Sequence, residues 1–212
     1  GLMPCFSFLG GETMNKIEIC NIALARIGVP PIESMNEASE AARACNQYYD
    51  FVRRNVLRKY PWTFATRRVT LAQIDTQPPD YRFAYRYPTD ALALRKMYNK
   101  HYCGLPERNE YKILSDEGGR IIYTNVEAAN IEYTADVQDV TMFDDEFIEA
   151  LGWKLAAEVA FMLTGDMNIA QTCVQAYNAY FAEATADNAQ EENVPDAQLD
   201  RLALARFTGV YK

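Results

Sequence analysis

The residue types that carry out most catalysis are few in this sequence and lie far apart. The chain has 212 residues but a single histidine, His101. On a strand, His101 and Cys103 would share a face, but one pair at i, i+2 is weak evidence for a base and its nucleophile. The sequence contains no Gly-x-Ser-x-Gly elbow, phosphate-binding glycine loop or dinucleotide fingerprint. We therefore expect a protein that is not an enzyme and uses no cofactor.

A metal site is also disfavoured by the spacing of the possible ligands. Structural zinc sites use clustered Cys and His, whereas the five cysteines are widely spaced, at positions 5, 20, 45, 103 and 173. A calcium loop of the EF-hand type needs a glycine among its oxygen ligands. No glycine lies in the most acid-rich part of the chain, residues 136–149. The odd, scattered cysteines are typical of buried thiols in a reducing compartment.

Charge is concentrated in two stretches of opposite sign. The basic stretch, residues 53–68, contains no acid, and the acidic stretch, residues 136–149, contains no base. Each could be an ordinary solvated face, but together they are also what a docking interface would use. DNA-phosphate binding by Arg53, Arg54 and Arg58 is the least favoured alternative, because the chain carries a net charge of −8.

Apolar residues recur at helical spacing near both ends of the chain. This pattern predicts helices over residues 16–27, 37–60, 144–163 and 167–187. Ser34 and Glu37 form a capping-box pattern that favours a helix start, and Asp144 and Asp145 fall where a helix dipole favours acids.

The middle of the chain has a period of two, which is typical of strands. Aromatic residues alternate with other types over residues 81–87, and residues 110–114 and 120–124 flank a glycine-containing turn. We therefore predict an α+β fold. A helical bundle, residues 14–61 and 141–187, is built from both ends of the chain, and a mainly antiparallel β lobe, residues 62–140, is inserted between its halves.

The two ends of the chain differ from this pattern. Residues 1–13 precede a natural-looking start at Met14 and are predicted to be a leader or an added remnant, without the basic region of a secretory signal. Residues 188–212 are predicted to be a polar linker followed by an apolar arm that includes Leu202 and Phe207. Charged residues interrupt every long apolar run, which disfavours a membrane span.

Several segments resemble, in the same order, the tail tubular protein A family of short-tailed phages, the head-to-tail adaptors between portal and nozzle. The segments are residues 21–28 (NIALARIG), Cys45 with Tyr48, Tyr49 and Leu57, residues 62–65 (WTFA), 85–92 (YRYPTDAL), 131–133 (IEY), 143–147 (FDDEF) and 155–160 (LAAEVA). The resemblance covers residues 14–187, and the family offers no catalytic residues to carry over.

The resemblance implies a structural protein of the virion neck that is present in the host cytoplasm during assembly. The expected partners are further copies of the chain in a dodecameric ring, the portal protein and the tail nozzle protein, with DNA passing through the channel without sequence-specific binding. The alternative is a small regulatory or nucleic-acid-binding module that uses the basic stretch.

For the ring, we expect the basic stretch to face the acidic stretch across subunits or across the portal joint, with the C-terminal arm docking on a neighbour or on the portal. The candidate interface residues are Arg53, Arg54, Arg58, Arg67, Arg68, Asp136, Asp139, Asp144, Asp145, Leu202 and Phe207.

Overall fold

The fold is α+β, as the sequence predicts. The computed structural model describes residues 14–76, 80–99 and 110–191. Within these ranges the helices are α1 (Lys16–Arg26), α2 (Glu40–Lys59), α3 (Asp145–Thr164) and α4 (Met167–Glu191). The strands are β1 (Thr66–Thr70), β2 (Phe83–Arg86), β3 (Ala91–Asn99), β4 (Tyr111–Asp116), β5 (Gly119–Thr124) and β6 (Ala129–Ala135).

Helix α1 has a complete capping box at its start. The Asn15 side chain accepts from the backbone N–H groups of Ile17 and Glu18, and the Glu18 carboxylate accepts from the Asn15 N–H at 2.7 Å. These bonds satisfy donors that a helix N-terminus leaves unpaired. The chain leaves the helix at Gly28, whose φ of +71° is a conformation that favours glycine.

Helix α2 starts later than the predicted residue 37. Ser39 caps it, accepting from the N–H of Ala42 at 3.0 Å. The Ser34 to Glu37 pattern forms its local bonds in the preceding turn, where the Glu37 carboxylate accepts from the N–H of Glu33 at 2.9 Å. The Ser34 to Glu37 pattern therefore marks a turn that precedes the helix.

Helix α3 is the centre of the bundle and packs against α1, α2 and α4. The predicted stripe is buried from Phe147 to Val159, but its last member, Met162, is 48% exposed. Helix α4 continues to Glu191, so residues 188–191, predicted to be linker, are helical. No helix in the described ranges is long and apolar enough to cross a bilayer.

The β lobe consists of two three-stranded antiparallel sheets. Their strand orders are β1-β6-β3 and β2-β5-β4. The predicted hairpin is present as β4 and β5, with Leu114 opposite Ile121 and a turn that places Gly119 at a φ of +114°. Among the described strands, β4 and β5 are neighbours both in the chain and in the sheet, whereas β6 pairs with β1 and β3 from distant parts of the chain.

The two lobes share one core at the end of α2. The Trp62 ring is 1% exposed and lies 5.3 Å from the ring of Phe147 in α3. Its Nε1–H donates to the Val56 carbonyl oxygen at 3.1 Å. A buried tryptophan N–H with a partner is a stable arrangement. The residues predicted as centres of the helical stripes are all buried, namely Leu24, Tyr49, Leu151 and Leu155.

Candidate docking surfaces

The two charged stretches meet inside one chain. Arg53 of α2 is 2% exposed, and its Nη1 lies 2.5 Å from the Asp136 carboxylate. The same nitrogen donates to the Val137 carbonyl oxygen. This corrects the expectation for Arg53: its guanidinium holds the bundle to the segment after β6, so it is not a free docking group.

Arg67 and Arg68 lie on the edge strand β1 and have partners in the same chain. Arg67 lies 2.9 Å from the Asp90 carboxylate, and Arg68 lies 2.8 Å from the Glu132 carboxylate. The Arg68 side chain remains 72% exposed. Exposed ion pairs stabilise a fold only weakly, by about 0–1 kcal/mol, so both arginines stay accessible to a partner.

The outer face of α2 keeps the remaining bases of the basic stretch. Arg54 and Arg58 are exposed and form no ion pair with any residue that the structure describes. Phe51 is 53% exposed on the same helix. An apolar ring beside unpaired arginines is a common arrangement in protein interfaces.

The acidic stretch is divided between helix capping and exposed charge. Asp139 accepts from the N–H of Thr141, and Asp144 caps α3 by accepting from the N–H of Phe147. Asp145 is exposed and has no ion-pair partner in the described part of the chain. Asp139 and Asp145 are therefore available to an outside base, and Asp144 is in part committed to its helix.

Large apolar side chains are exposed at the α3–α4 connection and on β4. At the connection, Phe161 and Met167 are 53% and 52% exposed. On β4, Tyr111 and Ile113 are each 40% exposed. Strand β4 pairs with β5 on one side only. Exposed apolar surfaces of this kind mark contact sites for other proteins, and an edge strand is a frequent one.

A cluster of three arginines, which the sequence analysis missed, lies near the C-terminal end of α2 and takes one residue from each sheet. We call Arg58, Arg95 and Arg120 the three-arginine site. Arg95 of β3 donates to the carbonyl oxygens of Leu57 and Arg58, at 3.3 and 2.9 Å. Burial lowers the pKa of Arg95, and the neighbouring positive charge of Arg58 lowers it further.

Arg120, the third arginine of the site, contacts the ring of a tyrosine. The Arg120 guanidinium lies 5.3 Å from the centre of the Tyr87 ring, in cation–π geometry. Burial raises the pKa of Tyr87, and the positive charges of Arg120 and Arg58 both act to lower it. The three arginines are 25 or more residues apart along the chain, so no linear pattern could have predicted the cluster.

The residues that carry the family resemblance make structural contacts. The Asn21 side chain bonds both backbone groups of Ile32, at 3.0 and 2.8 Å, and so holds the loop after α1. Arg26 lies 2.5 Å from the Glu149 carboxylate and 4.0 Å from the centre of the Trp153 ring. These segments therefore position helices and loops in the fold.

Buried sulfur atoms gather between α1 and α2. The thiol of Cys20 donates to the Met35 sulfur at 4.0 Å, and the neighbouring Cys45 thiol together with burial raises the pKa of Cys20. Among the described residues, no group of three or more His, Cys, Asp or Glu side chains converges as a metal site requires. The predicted site residues Leu202 and Phe207, like His101 and Cys103, lie outside the described residues.

Neither the known protein-family models nor the curated protein sequences contain a match to this chain.

Proposed function

We propose that this protein is a head-to-tail adaptor of a tailed phage or prophage, a ring-forming structural protein of the virion neck. The main support is that unpaired charges of opposite sign are exposed on two different elements. Arg54 and Arg58 lie on α2, and Asp139 and Asp145 lie at and before the start of α3. A ring of identical subunits needs two different complementary surfaces on each copy, because its contacts are head to tail.

The resemblance to the tail tubular protein A family adds to this support. Its segments follow the same order over residues 14–187. Their side chains, such as those of Asn21, Arg26 and Trp62, make contacts that hold helices and loops in place. Side chains used in this way preserve a shape, which is what an assembly subunit requires. In this proposal the partners are further copies of the chain, the portal protein and the nozzle protein.

Mass photometry of the full-length protein, alone and with its portal protein, tests the proposal. We expect a closed ring of about twelve subunits, the number that the family resemblance implies, with a central channel in electron micrographs. A protein that stays monomeric at all concentrations and in the presence of its portal would refute the adaptor function.

A charge swap tests whether the α2 and α3 surfaces meet across subunits. Arg54→Glu should weaken assembly more at low than at high ionic strength, because salt screens exposed charges. A second change, Asp145→Arg, should restore assembly if the two residues face each other. Arg43→Glu is the matched control, since Arg43 is also exposed on α2 but lies about 16 Å from Arg54 along the helix.

The nucleic-acid-binding alternative is less well supported. Of the basic stretch, Arg53 is buried, and Arg67 and Arg68 are paired with carboxylates. Phosphate would therefore have to compete with these carboxylates for Arg67 and Arg68. DNA binding at low salt that weakens steeply as salt is added would favour this alternative over the adaptor.

A further inference from the structure

The three-arginine site carries positive charge that the described part of the chain does not neutralise. Neither Arg58 nor Arg120 forms an ion pair with a described carboxylate, and Arg95 donates to backbone carbonyls and to the Thr134 hydroxyl at 2.8 Å. Like charges held together destabilise a fold unless a ligand or partner compensates them. In a chain with a net charge of −8, such a cluster is suited to an anionic group.

Exposed apolar side chains lie on the same sheet face as Arg120. Arg120 lies opposite Ser115 in the β4–β5 pair, so Ile113 and Tyr111, two and four residues before Ser115, point to the same side as Arg120. Both side chains are 40% exposed. The surface therefore combines basic and apolar contacts, which favours a protein segment over a free anion as its occupant.

A segment of this chain has the complementary composition. Residues 192–204 contain the acids Glu192, Asp196 and Asp200 and a single base, Arg201. The same residues also contain three leucines, at positions 199, 202 and 204. Acids and leucines interleaved over so short a stretch match a surface on which arginines adjoin exposed apolar side chains.

The end of α4 sets the point at which this segment begins. Lys59, beside Arg58, lies 5.4 Å from the centre of the Phe181 ring, so α4 passes the end of α2 at this point. The helix then continues for ten residues to Glu191, which adds about 15 Å. The segment thus begins about 15 Å along α4 from the point where α4 passes the end of α2. Residues 192–212 could extend by up to about 70 Å, enough to reach an adjacent copy.

We propose that the three-arginine site binds residues 192–204 of a neighbouring copy, with Asp196 and Asp200 at the arginines and Leu199 on Tyr111 and Ile113. This proposal rests on the proposed ring for its neighbouring copy. The binding site itself can be tested without a ring.

The site is tested with a full-length variant, called the acceptor, to which a peptide is added. In the acceptor, Glu192→Gln, Asp196→Asn and Asp200→Asn neutralise its own residues 192–204. The probe is a fluorescent, capped peptide of residues 192–204, followed by anisotropy. We expect saturable binding that Arg58→Glu and Arg120→Glu each weaken by about tenfold or more, with Arg43→Glu within about twofold as the control. Arg95 is left unchanged because it caps carbonyl groups at the end of α2.

The peptide experiment also separates this site from nonspecific attraction. Binding should weaken when ionic strength rises from about 0.05 M to about 0.5 M, and a peptide with the three acids neutralised should not bind. Absence of binding, or binding that Arg58→Glu and Arg120→Glu leave unchanged, overturns the site. Circular dichroism of each variant verifies that the fold is retained.

Assembly of the acceptor tests the neighbouring copy. If the segment docks in trans, its neutralisation should move the midpoint of ring formation to higher protein concentration in mass photometry. Rings that form at the wild-type midpoint overturn docking on a neighbour. If the wild-type protein forms no ring, the adaptor function is refuted. The peptide experiment still tests binding at the three-arginine site in that case.

Discussion

Removal of the Asp136 carboxylate should destabilise the protein strongly, because it leaves the buried Arg53 charge without its main partner. Breaking a buried ion pair from one side costs about 3–5 kcal/mol. The Asp136 side chain is 22% exposed, and Arg53 keeps the Val137 carbonyl oxygen and the Asp50 carboxylate, which lies 3.5 Å from its Nε. We therefore expect Asp136→Ala to lower the free energy of unfolding by about 3 kcal/mol, the lower end of this range. Arg53→Met should cost less, about 1–2 kcal/mol, since water can reach the carboxylate left behind.

Urea unfolding followed by circular dichroism measures these differences, and the double variant gives the coupling between the two residues. We expect Arg53→Met with Asp136→Ala to be less destabilised than the sum of the single changes, by about 1–3 kcal/mol. Asp75→Ala is the control, since Asp75 is exposed and should stay within about 0.5 kcal/mol. If Arg53 instead served a contact between subunits, Asp136→Ala would leave the free energy of unfolding of the monomer unchanged and the reasoning would fail.

Three further substitutions test the packing and capping, each by the free energy of unfolding in urea. Leu151→Ala, at a fully buried position, should cost about 2–5 kcal/mol, and a loss below about 1 kcal/mol would mean that the α3 face is misassigned. Gly152→Ala should cost about 1–3 kcal/mol, because the new Cβ would lie 2.7 Å from Nη1 of Arg26; a neutral result would show that Arg26 can move aside. Ser39→Ala should cost about 1 kcal/mol and exceed Ser34→Ala, since only Ser39 caps α2; equal losses would contradict that assignment.

The helices and the β4–β5 hairpin could be predicted from the sequence because their signals are local. Apolar residues at helical spacing located both ends of α1 and of α3 to within one residue. The turn chemistry of Gly118 and Gly119 located the hairpin. The start of α2 was predicted three residues too early because the side chains of Ser34 and Glu37 accept backbone N–H bonds within a turn, much as they would at a helix start.

The candidate surfaces were less predictable because they depend on pairs that are distant in the chain. Arg53 and Asp136 are 83 residues apart. Each was predicted as an interface residue from its charged neighbours in the sequence. Their contact within one chain could be seen only in the folded structure. Arg95 has Lys96 beside it but lies in no longer basic run, and Arg120 has no neighbouring base, so both were missed. A charged stretch in the sequence identifies available charge, whereas tertiary contacts determine which of those charges remain free.

The construction of the bundle from both ends of the chain has a consequence for synthesis on the ribosome. Arg26 of α1 packs on Glu149 of α3, 123 residues later, whereas the strands of the β lobe pair among themselves. Translation at about 5–20 residues per second separates the emergence of α2 from that of α3 by about 5–20 s. During that interval the β lobe can close, while the apolar faces of α1 and α2 lack their packing against α3 and are exposed to chaperones. The middle of this nascent chain should therefore fold before its beginning.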